Sequence, residues 1–276
     1  MPITEYIWKS HDGLDLYAVE WPSDEKAESV VAFVHGHGDH CRRYDEWFAS
    51  MNTRNISVVA LDYRGHGQSE GKRGTIRKFD DLLKDISLLH LKATALNPGI
   101  PVVLYGHSLG GTIVLSYLLK SPSLPALAIV TSPWLQLNHP PGKFLSAFIK
   151  IANMIIPNTT FSTGLHSADF SDIEGFSNKR DKDKFVHNQI SPRLMIEVEK
   201  EVSYIFDHFS AIKTPLLLLQ GRDDKIMDGV APRRLNDSLP GQVNYREWKY
   251  AGHQLHFSER NHEIMDYIVD WIKTGI

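Results

Sequence analysis

Three kinds of side chain in this sequence, set on three separated loops, could together open an acyl bond: a serine, an acid and a histidine. Ser108 stands in Gly106-His107-Ser108-Leu109-Gly110. The apolar run 101–105 precedes it and the apolar stretch 112–120 follows, so the segment reads as a buried strand, a sharp turn with the hydroxyl at its tip, and a helix. A serine hydroxyl is a weak nucleophile until a base takes its proton. Gly106 and Gly110 lack a Cβ, which lets strand and helix pass close to a turn whose tip is strained. In this arrangement the acid and the base are expected later in the chain, each on a loop after a strand. Residues 221–225, Gly-Arg-Asp-Asp-Lys, follow the strand pattern 216–220, and Gly252-His253 follows the strand pattern 243–248. His253 is therefore the expected base. Asp224 is the expected orienting acid, with Asp223 a rival by adjacency and Asp228 further from the strand end. The developing oxyanion needs backbone N–H donors, each commonly worth about 3 kcal/mol in the transition state. The expected donors are Leu109, next to the nucleophile, and His37, in the glycine-rich loop His35-Gly36-His37-Gly38.

The elements that must hold these loops follow from apolar periodicity. Residues 6–10 and 14–21 alternate around His11-Asp12-Gly13, a hairpin pattern. Residues 29–35, 56–61, 101–105, 126–132 and 215–220 are short apolar runs bounded by glycine, proline or charge, and 243–248 reads as a further strand. Helical patterns over 42–52, 75–95, 112–120, from 231, and over 261–273 alternate with them. Such alternation implies a doubly wound, mostly parallel sheet covered on both faces. It breaks after Pro133. Residues 134–204 hold no obvious buried strand, but an apolar helical stretch (144–156), a charged region and a second helix (192–209). A helical insertion between sheet strands reads as a cap, giving a core of 1–133 and 206–276 and a cap of 134–205.

The bulk numbers exclude several alternatives. The chain has 276 residues, 42% hydrophobic, enough for one large core with an insertion. Its net charge of −3, without a basic block, argues against a nucleic-acid partner. A single cysteine, Cys41, cannot form an internal disulfide. Cys41 lacks the elbow context of Ser108 and reads as a buried structural thiol. The opening ten residues lack the apolar core of a signal peptide and no apolar run reaches membrane-spanning length, so the expectation is a cytoplasmic protein. The stretch 144–156 is expected to pack into the cap. The sharper alternative leaves part of it exposed, as an apolar doorway for a lipid tail and a point of peripheral membrane contact.

Taken together the motifs resemble the monoacylglycerol lipase and lysophospholipase branch of the α/β-hydrolases. The matches are His35-Gly36-His37-Gly38-Asp39-His40 with Arg43-Tyr44, the run Asp62-Tyr63-Arg64-Gly65-His66-Gly67-Gln68-Ser69-Glu70-Gly71, the elbow, Gln220-Gly221-Arg222-Asp223-Asp224, and Gly252-His253. The resemblance implies an eight-stranded sheet with a helical cap between the sixth and seventh core strands. It implies a serine carboxylester hydrolase acting through an acyl-enzyme without cofactor or metal, on a monoacylglycerol or lysophospholipid-like monoester. The family's Gly-x-x-Asp pattern places the acid at Asp224. Its polar glycerol-end positions correspond to Asp39, Arg43 and His256. His37 stands where the family usually has a small residue, and Asp39 where it more often has Glu. Within the fold, the alternatives are a small-ester esterase and an amidase or peptidase.

Two rival readings use other residues or none. His35, His37, Asp39 and His40 also spell H-x-H-x-D-H, a pattern that can hold two metal ions. That reading leaves the elbow and the Ser–Asp–His order unexplained. A binding module on the same fold would have no chemical need for all three triad residues in order. His66 and His107 read as structural histidines of tight turns.

Overall fold

The computed structural model describes residues 2–171, 173–239 and 243–276. The chain opens with β1 (Thr4–Lys9) and β2 (Asp15–Trp21), paired antiparallel as the alternation predicts. Then follow β3 (Ser29–Val34), α1 (Asp45–Asn52), β4 (Ile56–Leu61), α2 (Phe79–Leu96), β5 (Val102–His107), α3 (Leu109–Lys120) and β6 (Leu127–Thr131). The segment beyond β6 carries α4 (Lys143–Ile155), β7 (Phe161–Ser162), α5 (Phe176–Asp181), β8 (Gln189–Ile190) and α6 (Pro192–His208). The chain then returns to the sheet through β9 (Leu216–Gly221), α7 (Val230–Ser238), β10 (Val243–Trp248) and α8 (Asn261–Gly275).

Eight strands form one sheet in the order β1-β2-β4-β3-β5-β6-β9-β10. β2 meets β4 antiparallel, and from β4 to β10 every pairing is parallel. Parallel strands need crossovers, so both faces are covered and the central strands are apolar on both sides. All residues of β3, β4, β5 and β9 are buried. On one face Val30, Ala32 and Val34 pack with Leu82, Ile86, Ile113 and Val198 of α2, α3 and α6. On the other, Val31 and Phe33 pack with Phe48 and Met51 of α1 and Ile264, Ile268 and Ile272 of α8.

Two helices start later than the periodicity predicts. Cys41–Tyr44 is a separate 3₁₀ turn ahead of α1. α2 begins at Phe79 rather than near residue 75, because Ile76 keeps its core contact from an extended approach. The Phe79 N–H donates to Glu197 Oε2 of α6 at 3.2 Å.

The largest correction concerns α4. The stretch 144–156 was expected to be buried, yet only Ala152 is buried in α4. Phe144 is 96% exposed, and Met154 and Ile155 are each 74% exposed. α4 packs against α6, whose Leu194, Val198 and Ile205 already occupy the sheet-facing layer. α4 carries one polar stripe (Lys143, Ser146, Lys150, Asn153), and most of its apolar side chains are left without a protein partner. The insertion also contains the short antiparallel ladder β7–β8, which no apolar run announced.

Candidate active site

Ser108 sits between β5 and α3 with φ 54° and ψ −119°. A non-glycine residue held there costs on the order of 1–3 kcal/mol and persists only where its surroundings fix it. Here the Ser108 N–H donates to the Thr131 carbonyl at 2.9 Å, and its own carbonyl accepts from Thr112 and Trp134 N–H, both at 3.1 Å. The flanking glycines make the bend sterically feasible. A Cβ on Gly106 would lie 2.4 Å from the Gly110 carbonyl oxygen, and one on Gly110 would lie 2.1 Å from that of Val34.

The loops after β9 and β10 come together above the sheet for a similar reason. A Cβ on Gly221 would stand 2.1 Å from the Gly252 carbonyl oxygen, so only glycine lets the two loops touch. The Asp223 N–H donates to the Ala251 carbonyl at 3.1 Å and locks that approach. His253 Nε2 then lies 3.0 Å from Ser108 Oγ, and His253 Nδ1 lies 2.8 Å from Asp224 Oδ2. Asp224 is itself fixed: Oδ1 accepts from the N–H groups of Ile226 and Met227, and Oδ2 from Gln220 Nε2 at 2.9 Å. With Asp224 ionised, the proton belongs on Nδ1, which leaves Nε2 to accept from the serine hydroxyl. Asp223 is exposed, and Asp228 accepts from Gln136 Nε2 at 3.0 Å.

Leu109 opens α3, whose first-turn N–H groups have no intrahelical acceptor. The loop of His37 lies against the same elbow, for a Cβ on Gly36 would be 3.1 Å from Ser108 Cβ. The His37 side chain turns away to donate from Nε2 to the Gln189 carbonyl at 2.9 Å, joining the loop to β8. Burial pushes the His37 imidazole down to about 4, and it is neutral at physiological pH.

Ser108, His37 and His253 line a cavity of about 470 Å³. Its apolar wall comes largely from the insertion, with Leu145, Phe148 and Ile149 of α4 and Met195 of α6. Asp39, Arg43 and His256, assigned by resemblance to the glycerol end, are not among the lining residues. They belong to a buried polar layer beneath. Asp39 accepts from Tyr44 Oη at 3.0 Å, Gln254 Nε2 at 2.9 Å and Arg43 Nη1 at 3.3 Å. Burial alone would raise its carboxyl, but the Arg43 and Arg180 guanidinium groups hold it well below the usual carboxylate range. His256 Nε2 meets Tyr105 Oη at 2.9 Å, and burial pushes its imidazole down to about 3. None of the three lines the cavity itself.

The H-x-H-x-D-H residues do not converge either. His35 Nδ1 donates to the Gly36 carbonyl at 2.8 Å, and His40 Nε2 meets Asp183 Oδ2 at 2.8 Å. Among the described residues no group of three or more His, Cys, Asp or Glu side chains is placed to hold a metal ion. Cys41 is buried, and burial pushes its thiol up, so it is not a thiolate. His66 and His107 are buried, bonded to the Arg64 carbonyl at 3.1 Å and Thr131 Oγ1 at 3.1 Å.

Sequence reasoning missed several lining residues, chief among them Phe170, Arg180 and His187. They fall in a charged stretch with no periodicity. Only the path of the insertion across the cavity brings them to Ser108.

The family model described as serine aminopeptidase, S33, matches residues 25–261. An uncharacterized abhydrolase domain-containing protein of Dictyostelium discoideum is 32% identical over 93% of the chain, which spans 27% of that protein's length. The monoglyceride lipase of Rattus norvegicus is 27% identical over 96% of the chain and 89% of its own length. The crystal structure of Paleococcus ferrophilus monoacylglycerol lipase superimposes with a TM-score of 0.84, at 30% identity, over 95% of this chain and 99% of that one.

Proposed function

The chain belongs to the serine aminopeptidase, S33, family of hydrolases, and from that premise we propose that it is a serine carboxylester hydrolase acting on monoacylglycerol or lysophospholipid-like monoesters. The observation that carries this reading is the continuous relay from Ser108 Oγ through His253 to Asp224, with contacts of 3.0 Å and 2.8 Å. In it, Ser108 attacks the ester carbonyl while His253 Nε2 takes its proton. The N–H groups of His37 and Leu109 receive the oxyanion, and Asp224 stabilises the imidazolium. His253 returns the proton to the leaving alkoxide. Water activated by the same imidazole then cleaves the acyl-enzyme.

Residues 134–191 act as a cap that, with Met195 of the sheet-covering α6, supplies the acyl-chain wall. The similarity to monoglyceride lipases supports this substrate class. So does a lining rich in apolar side chains with Arg180 and Lys225, which suits an acyl chain better than the ammonium of a peptide N-terminus. The outer side of α4, with Phe144, Met154 and Ile155 exposed beside the wall-forming Leu145 and Phe148, rests on a lipid surface and receives substrate from it.

The test is a series of monoacylglycerols of graded chain length, given as monomers and in phospholipid vesicles. Wild type should cleave both forms, and Ser108→Ala neither. Ile155→Asp should keep activity on monomers and lose about tenfold or more on vesicles, given the cost of placing a charge against apolar lipid. No cleavage of any member by folded wild type would refute the ester reading; equal vesicle rates for Ile155→Asp would refute the surface contact.

A further inference from the structure

The cavity around Ser108 contains a cation with no ion-pair partner among the described residues. Arg180, on α5, is only 8% exposed. Its Nε has no hydrogen-bond partner, and among the described residues its guanidinium makes no ion pair. The neighbouring cation differs: Arg43 is matched to Asp39 at 3.3 Å. Asp39 is already engaged by Arg43, Tyr44, Gln254 and the His40 N–H, so it acts on Arg180 only through space. A buried guanidinium without an ion pair is costly, because a ring face and a carboxylate acting through space replace only part of the water that burial removes. Proteins keep such groups where a ligand completes them.

The position is tied to the reacting atoms. The Arg180 Cζ lies 4.2 Å over the centre of the Phe170 ring, and that ring is 5.8 Å from the His253 ring. Arg180, Phe170, His253 and Ser108 all line one cavity. Among the described lining residues there is no carboxylate. The histidines on that side are neutral, His37 pushed down to about 4 and His187 to about 3, in each case chiefly by burial. A planar guanidinium with its fork free favours a group with two oxygens in one plane.

We infer that Arg180 is a substrate-binding residue that receives an oxyanion, phosphate or carboxylate, carried by the leaving-group side of the ester, so that the preferred substrate is an anionic single-chain lipid ester rather than an uncharged monoacylglycerol. The inference rests on reading the Ser108 cavity as the ester site. The acyl chain lies along Leu145, Phe148 and Met195, the ester carbonyl stands at Ser108, and the charged end reaches the guanidinium beside Phe170.

The experiment compares three decanoyl esters below their micelle concentrations: 1-decanoylglycerol, 1-decanoylglycerol 3-phosphate, and the decanoyl ester of a hydroxycarboxylic acid. The readout is the ratio of kcat/KM for each anionic ester to that of the neutral one. Wild type should favour at least one anionic ester by about tenfold or more, the range expected for a hydrogen bond to a charged group. Which anion is favoured separates a phosphate site from a carboxylate site. Arg180→Gln should bring the ratio to one or below, mostly through KM, and Arg180→Lys should fall between. A wild-type ratio of one or less would overturn the inference. So would an Arg180→Gln protein that loses the same factor on all three esters, the behaviour of a purely structural arginine. Should Arg180→Gln not fold, the wild-type ratio and Arg180→Lys still decide. Calorimetric binding of the same esters to Ser108→Ala separates the two claims. Arg180-dependent binding of the anionic ester without turnover by wild type would remove the esterase reading and keep the anion site. Turnover without charge preference would do the reverse.

Discussion

Asp223 and Asp224 are adjacent and chemically unequal. Asp224 is buried and accepts two backbone N–H groups, an amide N–H and the His253 ring, whereas Asp223 is exposed. Asp224→Asn should lower kcat by about four orders of magnitude, because the amide no longer holds the imidazole in the working tautomer. Asp223→Asn should stay within about twofold, as surface substitutions usually do. Kinetics of the two variants, with melting curves to verify folding, check this; the reverse ranking would move the acid. At this scale the meeting of Ser108, the acid and His253 was legible, because each residue type sits just past a strand pattern and the order along the chain is informative. The surroundings were not. Asp39, Arg43 and His256 have residue types suited to a glycerol site, but none of them lines the cavity. Arg180 carried no local pattern at all.

The elements were legible where one physical cause dominates. β4 spans the predicted residues, since a short apolar run between breakers has few other uses in a doubly wound sheet, and β10, an edge strand that alternates in burial, spans them too. Helix starts were less legible. Ile76 is as buried as a helical core residue would be, yet it belongs to a loop, and apolar spacing cannot tell those cases apart. α4 is the clearest instance. Its sequence sets a broad apolar face against a narrow polar stripe, which fits a buried cap helix and a surface helix facing lipid equally well. The arrangement of α6 beneath it decides, and that depends on packing between segments about fifty residues apart. Glycine carried more information than its frequency suggests. Gly106, Gly110 and Gly221 each mark a place where two backbones must nearly touch for the site to exist.

At the scale of the whole molecule, the buried imidazoles make stability depend on pH. Burial pushes His37 down to about 4 and His187 and His256 to about 3, and lowers His66 and His107 as well. In the unfolded chain a histidine titrates near 6.5. Above that value both states are neutral and the full stability is present. As pH falls below about 6.5, the unfolded chain binds protons that the native state excludes, so stability declines towards pH 3–4. Calorimetric melting should therefore show Tm falling steadily from pH 7 to pH 4.5, with a shallower slope for His187→Gln; a flat Tm would contradict these native-state pKa directions. The same buried interior holds the one hydroxyl on which the functional account depends. The most direct test is to treat the folded protein with a fluorophosphonate and map the adduct by mass spectrometry. The account predicts one adduct, on Ser108, appearing in step with loss of ester hydrolysis and absent from Ser108→Ala. An adduct on another residue, or hydrolysis that persists in Ser108→Ala, would contradict it.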